Sequence, residues 1–206
     1  GSVTISGTAT QGETLTAANT LADLDGLGTI SYQWKRAGAA ITDASASTYS
    51  LVQADVGSAI SVTASYTDGE GTAETVSSSA TSAVANINDA PTGSVTISGT
   101  ATQGETLTAA NTIADADGLG TLSYQWKRAG TAISGATSST YQLVQADVGS
   151  AISVTASYTD GQGTAESVTS TATSAVANVN DAPVGSVTIS GTATQGETLT
   201  AANTLD

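Results

Sequence analysis

Residues 30–35 read Ile-Ser-Tyr-Gln-Trp-Lys, an alternation of apolar and polar side chains. Successive side chains of a β-strand point to opposite faces of a sheet, so this period of two predicts a strand with one buried and one solvated face. Runs with the same period recur along the chain, and no amphipathic helical pattern interrupts them. The predicted strands of the first copy of a repeated sequence cover residues 2–7, 13–21, 29–37, 40–42, 47–52, 59–67 and 73–85. The pattern predicts an all-β protein.

The chain repeats itself almost without change. The stretch GSVTISGTATQGETLTAANT begins at Gly1, Gly93 and Gly185, which are spaced by 92 residues. The first two copies differ at 15 positions, and the third copy runs for 22 residues. Each full copy is long enough to bury a small core, and its length exceeds the period of about 20–50 residues that solenoid repeats use. We therefore expect separate domains over residues 1–90 and 91–182, followed by a partial domain over residues 183–206.

The number of predicted strands in each copy, about seven, is typical of a β-sandwich. Trp34 lies on the third predicted strand, where immunoglobulin-like domains carry a core tryptophan. We expect tandem immunoglobulin-like Greek-key β-sandwiches arranged end to end and joined by short linkers that end in Pro91 and Pro183. The sequence leaves one alternative open, in which the first two strands of each copy pack with the later strands of the preceding copy.

The composition narrows the possible functions. Eighteen residues are acidic and four are basic, which gives a net charge of −14. Nucleic acids and anionic membranes attract clustered Lys and Arg, so we expect neither as a partner. The chain has no Cys, which excludes disulfides and thiolate zinc sites, and no His, so the commonest catalytic bases and nucleophiles are missing. We expect no enzymatic activity and no membrane insertion.

Most acidic residues lie in predicted turns and in the linkers rather than within strands. In an immunoglobulin-like sandwich, the turns after the second and sixth strands share one end of the domain, so those of the second copy should meet the linker that leaves the first copy. Converging carboxylates repel one another unless a cation lies between them. Ca²⁺ accepts six to eight oxygen ligands in loose geometry, whereas Mg²⁺ demands a tight octahedron, so we expect Ca²⁺. The candidate ligands are Glu13, Asp55, Asn86, Asn88, Asp89, Asp115, Asp117 and Asp160.

These motifs resemble known families. Residues 86–89 (Asn-Ile-Asn-Asp) with residues 115–117 (Asp-Ala-Asp) are similar to the calcium junction of cadherins. The whole repeat, with Tyr-Gln-Trp, Gln-Ala-Asp-Val-Gly, Tyr-Thr-Asp-Gly-x-Gly and Asn-Asp-Ala-Pro, resembles the tandem extender domains of giant RTX-type bacterial adhesins. Ala90 departs from the cadherin pattern, where a further acidic or amide residue stands, and Asp55 stands alone for an acidic triplet. The departures imply fewer ions or weaker binding at each junction.

The resemblance implies an extracellular protein of the bacterial cell surface. Extender domains of this kind hold a distal ligand-binding region away from the cell in adhesion or biofilm formation, and calcium between domains stiffens the string. The expected partners are the neighbouring repeats of the same chain, and the expected state is a monomer. In the alternative function, each repeat is itself an adhesive module that binds glycan or protein. The strands are rich in Ser and Thr and lack aromatic patches, which favours the extender.

Overall fold

The computed structural model describes residues 1–205 and confirms the prediction of an all-β protein. The strands of the first copy are β1 (Val3–Ser6), β2 (Thr14–Asn19), β3 (Ser31–Arg36), β4 (Ala39–Ala40), β5 (Thr48–Ser50), β6 (Ile60–Thr67) and β7 (Ala73–Ser77). Those of the second copy are β8 (Val95–Ser98), β9 (Thr106–Asn111), β10 (Ser123–Arg128), β11 (Thr131–Ala132), β12 (Thr140–Gln142), β13 (Ile152–Thr159) and β14 (Ala165–Thr169). The third copy supplies β15 (Val187–Ser190) and β16 (Thr200–Asn203). Short 3-10 turns occur at Gln53–Asp55 and Gln145–Asp147.

Two antiparallel sheets form the first sandwich, with strand orders β1-β2-β5 and β4-β3-β6-β7. The period of two places Leu15 of one sheet and Trp34 of the other inside, where both side chains are fully buried. The indole N–H of Trp34 donates to the carbonyl of Ala46 at 2.9 Å, so its polar atom is satisfied. The buried apolar residues of this core are Val3, Leu15, Ala17, Trp34, Leu51, Ile60, Val62, Ala64 and Val84.

The second copy repeats both sheets, with orders β8-β9-β12 and β11-β10-β13-β14. Leu107 and Trp126 are fully buried, as are their counterparts in the first copy. The second strand of each full copy therefore pairs with the first and the fifth strands of the same copy. The domain boundaries expected near residues 90 and 182 stay a prediction.

The third copy forms a hairpin, β15–β16, in the same register as β1–β2. Val187 pairs with Asn203 as Val3 pairs with Asn19. Val187 is nevertheless 65% exposed and Val3 only 5%, because no described strand of the third copy covers the apolar face of this hairpin.

The seventh strand is shorter than the sequence suggests. The prediction ran over residues 73–85, whereas β7 ends at Ser77. The following segment changes partners: the N–H of Val84 donates to Ser58, and the N–H of Ala85 donates to Ala9 near the start of the chain. A segment that moves from one neighbour to another cannot keep a single ladder, so regular strand structure stops.

Contacts divide the chain into two compact units. The first contains Gly1–Gly93, Thr112–Leu122 and Ser157–Val168, and the second contains Ser94–Asn111, Ser123–Ala156 and the described residues from Thr169 onward. The first unit thus includes the linker after the first copy and both acidic turns of the second copy. No helix among the described residues is long and apolar enough to cross a membrane.

Candidate cation-binding site

Asp117 lies at the centre of a group of polar contacts within the first unit. Its Oδ1 accepts a hydrogen bond from Nε2 of Gln53 at 2.9 Å, and its Oδ2 accepts one from the backbone N–H of Asp89 at 2.7 Å. The residue is only 4% exposed, and a buried carboxylate is stable only with donors or a counter-charge around it. The Asp-x-Asp turn therefore contacts both the linker and the 3-10 turn that carries Gln53.

The two acidic turns of the second copy are hydrogen-bonded to each other. The N–H of Gly161 donates to the carbonyl of Asp117 at 3.1 Å, and the N–H of Asp117 donates to Oδ1 of Asp115 at 2.9 Å. Tyr158 donates its hydroxyl to Oδ2 of Asp115 at 2.5 Å. Burial raises the pKa of Tyr158 above its usual range, and this hydrogen bond and the nearby negative charges raise it further. Burial and the neighbouring carboxylate of Asp115 thus favour the neutral, donating hydroxyl.

Asp160 has one satisfied and one unsatisfied oxygen. Its Oδ1 accepts the N–H groups of Gln162 at 2.9 Å and Thr164 at 2.7 Å, which closes the turn before β14. Its Oδ2 is buried and accepts no hydrogen bond, although the residue is only 6% exposed. A buried carboxylate oxygen without a hydrogen-bond donor lowers the stability of the fold, and a cation or a donating ligand would remove this cost.

Two further buried oxygens share this condition, Oε1 of Gln53 and Oδ1 of Asn86. Within residues 1–205, these and Oδ2 of Asp160 are the buried side-chain nitrogen and oxygen atoms that lack a partner. All three are acceptors, and all three belong to the first unit. The described residues contain no group of three or more acidic side chains that could hold a metal ion by themselves. A cation bound here would therefore use amide oxygens as well as carboxylates, a mixture that Ca²⁺ accepts.

Side chains of the linker and of the first copy fix the backbone beside these atoms. Gln11 accepts the N–H of Ile87 at 3.2 Å through Oε1 and donates through Nε2 to Oδ2 of Asp89 at 2.7 Å. Asn88 donates to Oε1 of Glu166 at 2.8 Å. Gln11 and Gln53 were not identified from the sequence, because mainly charged residues were considered as ligands. The feature that could have identified them is an amide side chain in a turn at the same place in both copies.

Two predicted ligands lie elsewhere. Asp55 is fully buried, and its oxygens accept Nε of Arg36 at 2.7 Å, the hydroxyl of Tyr49 at 3.0 Å and the N–H of Val52 at 2.8 Å. Asp55 is named above as a candidate ligand, but Arg36 neutralises its charge inside the sandwich. The ion pair raises the pKa of Arg36, and burial followed by the contact with Asp55 raises that of Tyr49. Glu13 is exposed, and Gln11 hydrogen-bonds to the linker.

The negative charge of the site is not neutralised by Lys or Arg side chains among the described residues. In the part of the chain that the structure describes, the ion pairs are Arg36 with Asp55 and Arg128 with Asp147. Asp89, Asp115 and Asp117 thus have hydrogen-bond donors but no Lys or Arg partner. The charge that remains is negative, which suits a divalent cation.

Comparisons with known proteins find solved structures of low similarity to this chain. No model of a known protein family matches the chain, and no curated protein matches it. Two similar solved structures are adhesins. One is a Ca²⁺-stabilised adhesin that helps an Antarctic bacterium reach out and bind ice, with 16% identity over 92% of this chain and a TM-score of 0.33. The other is a tetra-tandem repeat in the extending region of a large adhesion protein, with 20% identity over the whole chain and a TM-score of 0.31.

A third similar structure comprises three N-terminal domains of the Highly Immunogenic Outer Capsid protein of bacteriophage RB49, with 16% identity over the whole chain and a TM-score of 0.30. The chain spans 52% of the first adhesin structure, 63% of the second and 69% of the capsid protein structure. Similarities at these identities and TM-scores carry no inference about function.

Proposed function

We propose that the chain is a structural extender segment of a large bacterial cell-surface adhesin, with Ca²⁺ bound where one repeat meets the next. In this role the repeats hold a distal ligand-binding region away from the cell in adhesion or biofilm formation. Two nearly identical copies, each with its own sheets and core, suit a function in which length matters more than a unique cleft. The sequence motifs that resemble RTX-type extender domains support the same role.

The observation that carries the calcium proposal is the set of three buried acceptor oxygens without donors, on Gln53, Asn86 and Asp160. Ca²⁺ accepts carboxylate and amide oxygens alike, and Asp117 and Asp89 lie on connected turns and could supply further carboxylate oxygens. An uncharged ligand would leave the negative charge of these carboxylates uncompensated. The residues present thus fit Ca²⁺.

The contacts of the carboxylates favour a structural role over catalysis. The carboxylates at the centre are occupied by backbone and amide donors rather than arranged as an acid and a base across an open cleft. Neither His nor Cys occurs in the chain. We therefore propose that the function is structural and not enzymatic.

Calcium titration of the whole chain tests the proposal. We expect calorimetry to detect Ca²⁺ binding, and we expect a melting temperature and a maximum dimension in X-ray scattering that both fall when a chelator removes the ion. Mg²⁺ at the same concentration is the control and should give a smaller shift, because it keeps its water more tightly. An unchanged melting temperature and an unchanged dimension in chelator would refute the calcium proposal. Binding of the chain to a glycan array would instead favour the adhesive module.

A further inference from the structure

Gln53, like Asp160, has one side-chain polar atom with a hydrogen-bond partner and one without. Its Nε2 donates to Oδ1 of Asp117 at 2.9 Å, while its Oε1 is buried and accepts nothing. A primary amide carries a donor group and an acceptor oxygen on the same carbon, and rotation by half a turn exchanges their positions. In the present orientation, the amide donates a hydrogen bond to the carboxylate of Asp117, and the amide oxygen of Gln53 has no partner.

The backbone that presents Gln53 is held firmly in place. Gln53 opens the 3-10 turn that ends in Asp55, and Asp55 accepts the N–H of Val52 at 2.8 Å and the guanidinium of Arg36 at 2.7 Å. The turn cannot shift without breaking these buried contacts. Any adjustment of Gln53 to a ligand is therefore a rotation of its side chain.

The second copy contains the same turn in different surroundings. Gln145 opens the turn Gln145–Asp147, and Asp147 accepts the N–H of Val144 at 2.8 Å and Nε of Arg128 at 2.6 Å. The amide of Gln145, however, donates to Oδ1 of Asn178 at 3.5 Å, a long contact. An identical anchor thus presents the amide to a linker amide in one copy and to a carboxylate in the other.

We propose that Gln53 is a cation-dependent switch within the calcium site, an inference that rests on the proposed binding of Ca²⁺. Without the ion, Nε2 donates to Asp117 and replaces part of the missing positive charge. With the ion bound, the carboxylate of Asp117 is neutralised by the metal, the amide rotates, and Oε1 becomes a ligand. The ion would then satisfy the oxygen of Gln53 and replace its amide donor at Asp117.

The variant Gln53→Glu separates the two states of the switch. In chelator, the new carboxylate repels Asp117 and donates nothing, so we expect the melting temperature to fall by about 3 °C relative to the wild type. In calcium, the added negative ligand should raise the affinity about tenfold, because ligand charge sets calcium affinity. Gln145→Glu is the matched control and should change neither quantity. Gln53→Ala should lower calcium affinity, which keeps the test valid if Gln53→Glu folds poorly.

A direct measurement follows the side-chain amide of Gln53 by NMR, assigned from its loss in Gln53→Glu. We expect its resonances to move when calcium saturates the wild-type chain, whereas those of Gln145 stay in place. Calcium binding by the wild type with unchanged affinity in Gln53→Glu and a stationary amide resonance would overturn the switch alone. If the wild type binds no calcium, both the switch and the calcium site are overturned. A lower melting temperature of Gln53→Glu in chelator would still support the donor role towards Asp117.

Discussion

The turns that carry Asp25 and Asp68 in the first copy and those that carry Asp117 and Asp160 in the second have nearly the same sequence but different environments. Asp25 is exposed and Asp68 half-buried, whereas Asp117 and Asp160 are 4% and 6% exposed. The internal hydrogen bonds of the turns are conserved: Oδ1 of Asp68 accepts the N–H of Thr72 at 2.7 Å as Oδ1 of Asp160 accepts that of Thr164.

The difference comes from what covers the turns. Gln53 and the linker residue Asp89 contact Asp117, and no described residue does the same for Asp25. Burial at this position is therefore a property of the neighbouring residues and not of the turn sequence. The same Asp-containing turn is thus an exposed surface turn in the first copy and part of a buried candidate binding site in the second. The predictions that follow use the first copy as the matched control for the second.

Removal of the Asp117 carboxylate should have the largest effect. Asp117→Ala leaves Nε2 of Gln53 and the N–H of Asp89 without their acceptor, and hydrogen bonds to charged groups contribute about 1.5–3 kcal/mol each. We expect the unfolding free energy to fall by about 3 kcal/mol in thermal or urea unfolding. Asp25→Ala should cost less than about 0.5 kcal/mol, because its side chain is exposed. Equal losses in the two variants would contradict the comparison.

Removal of the unpaired oxygen of Asp160 should affect calcium binding more than folding. Asp160→Asn can keep an oxygen for the N–H groups of Gln162 and Thr164, but it replaces the unpaired carboxylate oxygen by an amide donor. We expect calcium affinity, measured by calorimetry, to fall about tenfold, since ligand charge sets affinity. Asp68→Asn changes the equivalent turn of the first copy and should leave the affinity unchanged. A similar loss in Asp68→Asn would place the calcium at a different site.

Loss of the Tyr158 hydroxyl should have the smallest effect. Tyr158→Phe removes the donor to Asp115 and should lower the melting temperature by about 3 °C, and Tyr66→Phe, which removes a 2.9 Å bond to Asp23 at a half-buried position, by less. A melting temperature that falls more in Tyr66→Phe would reverse the comparison.

The same tyrosine also gives a pH dependence. The folded pKa of Tyr158 lies above the unfolded value of 10.0, so the unfolded chain loses this proton first. Stability from the neutral hydroxyl is therefore complete below pH 10 and declines as the pH rises towards the folded pKa. We expect the unfolding free energy of the wild type to decline more steeply above pH 10 than that of Tyr158→Phe, and an equal slope would contradict the assignment.

Much of the fold could be predicted from the alternation of side chains. Trp34 and Leu15 are buried as the period of two requires, because each pair of neighbouring residues must face opposite sides of a sheet. The segment after Ser77 could not be predicted, since a period in one strand does not reveal that the chain changes partners. Ala80, which the period of two places on the same face as Val76 and Val84, is exposed for the same reason.

Charge in the sequence marks the acidic turns of the candidate site, whereas the contacts of their side chains depend on packing that the sequence does not reveal. Asp115, Asp117 and Asp160 do lie on turns that hydrogen-bond to each other. Asp55 could not be separated from them by sequence, because only the packed structure brings Arg36 and Tyr49 to its oxygens. Gln53 carries no charge, and only the folded structure shows that its amide donates a hydrogen bond to the carboxylate of Asp117.

The identical hairpins of the three copies have a consequence for folding. β2 pairs with β5 at Thr16 and Thr48, which are 32 positions apart, whereas the identical strand β9 would offer Thr108 to Thr48 at a separation of 60 positions. The side chains cannot distinguish the two pairings, and closing a loop of twice the length costs only about 0.6 kcal/mol more. Order of emergence during synthesis, in which β2 meets β5 before β9 exists, is then the stronger safeguard against exchange between copies.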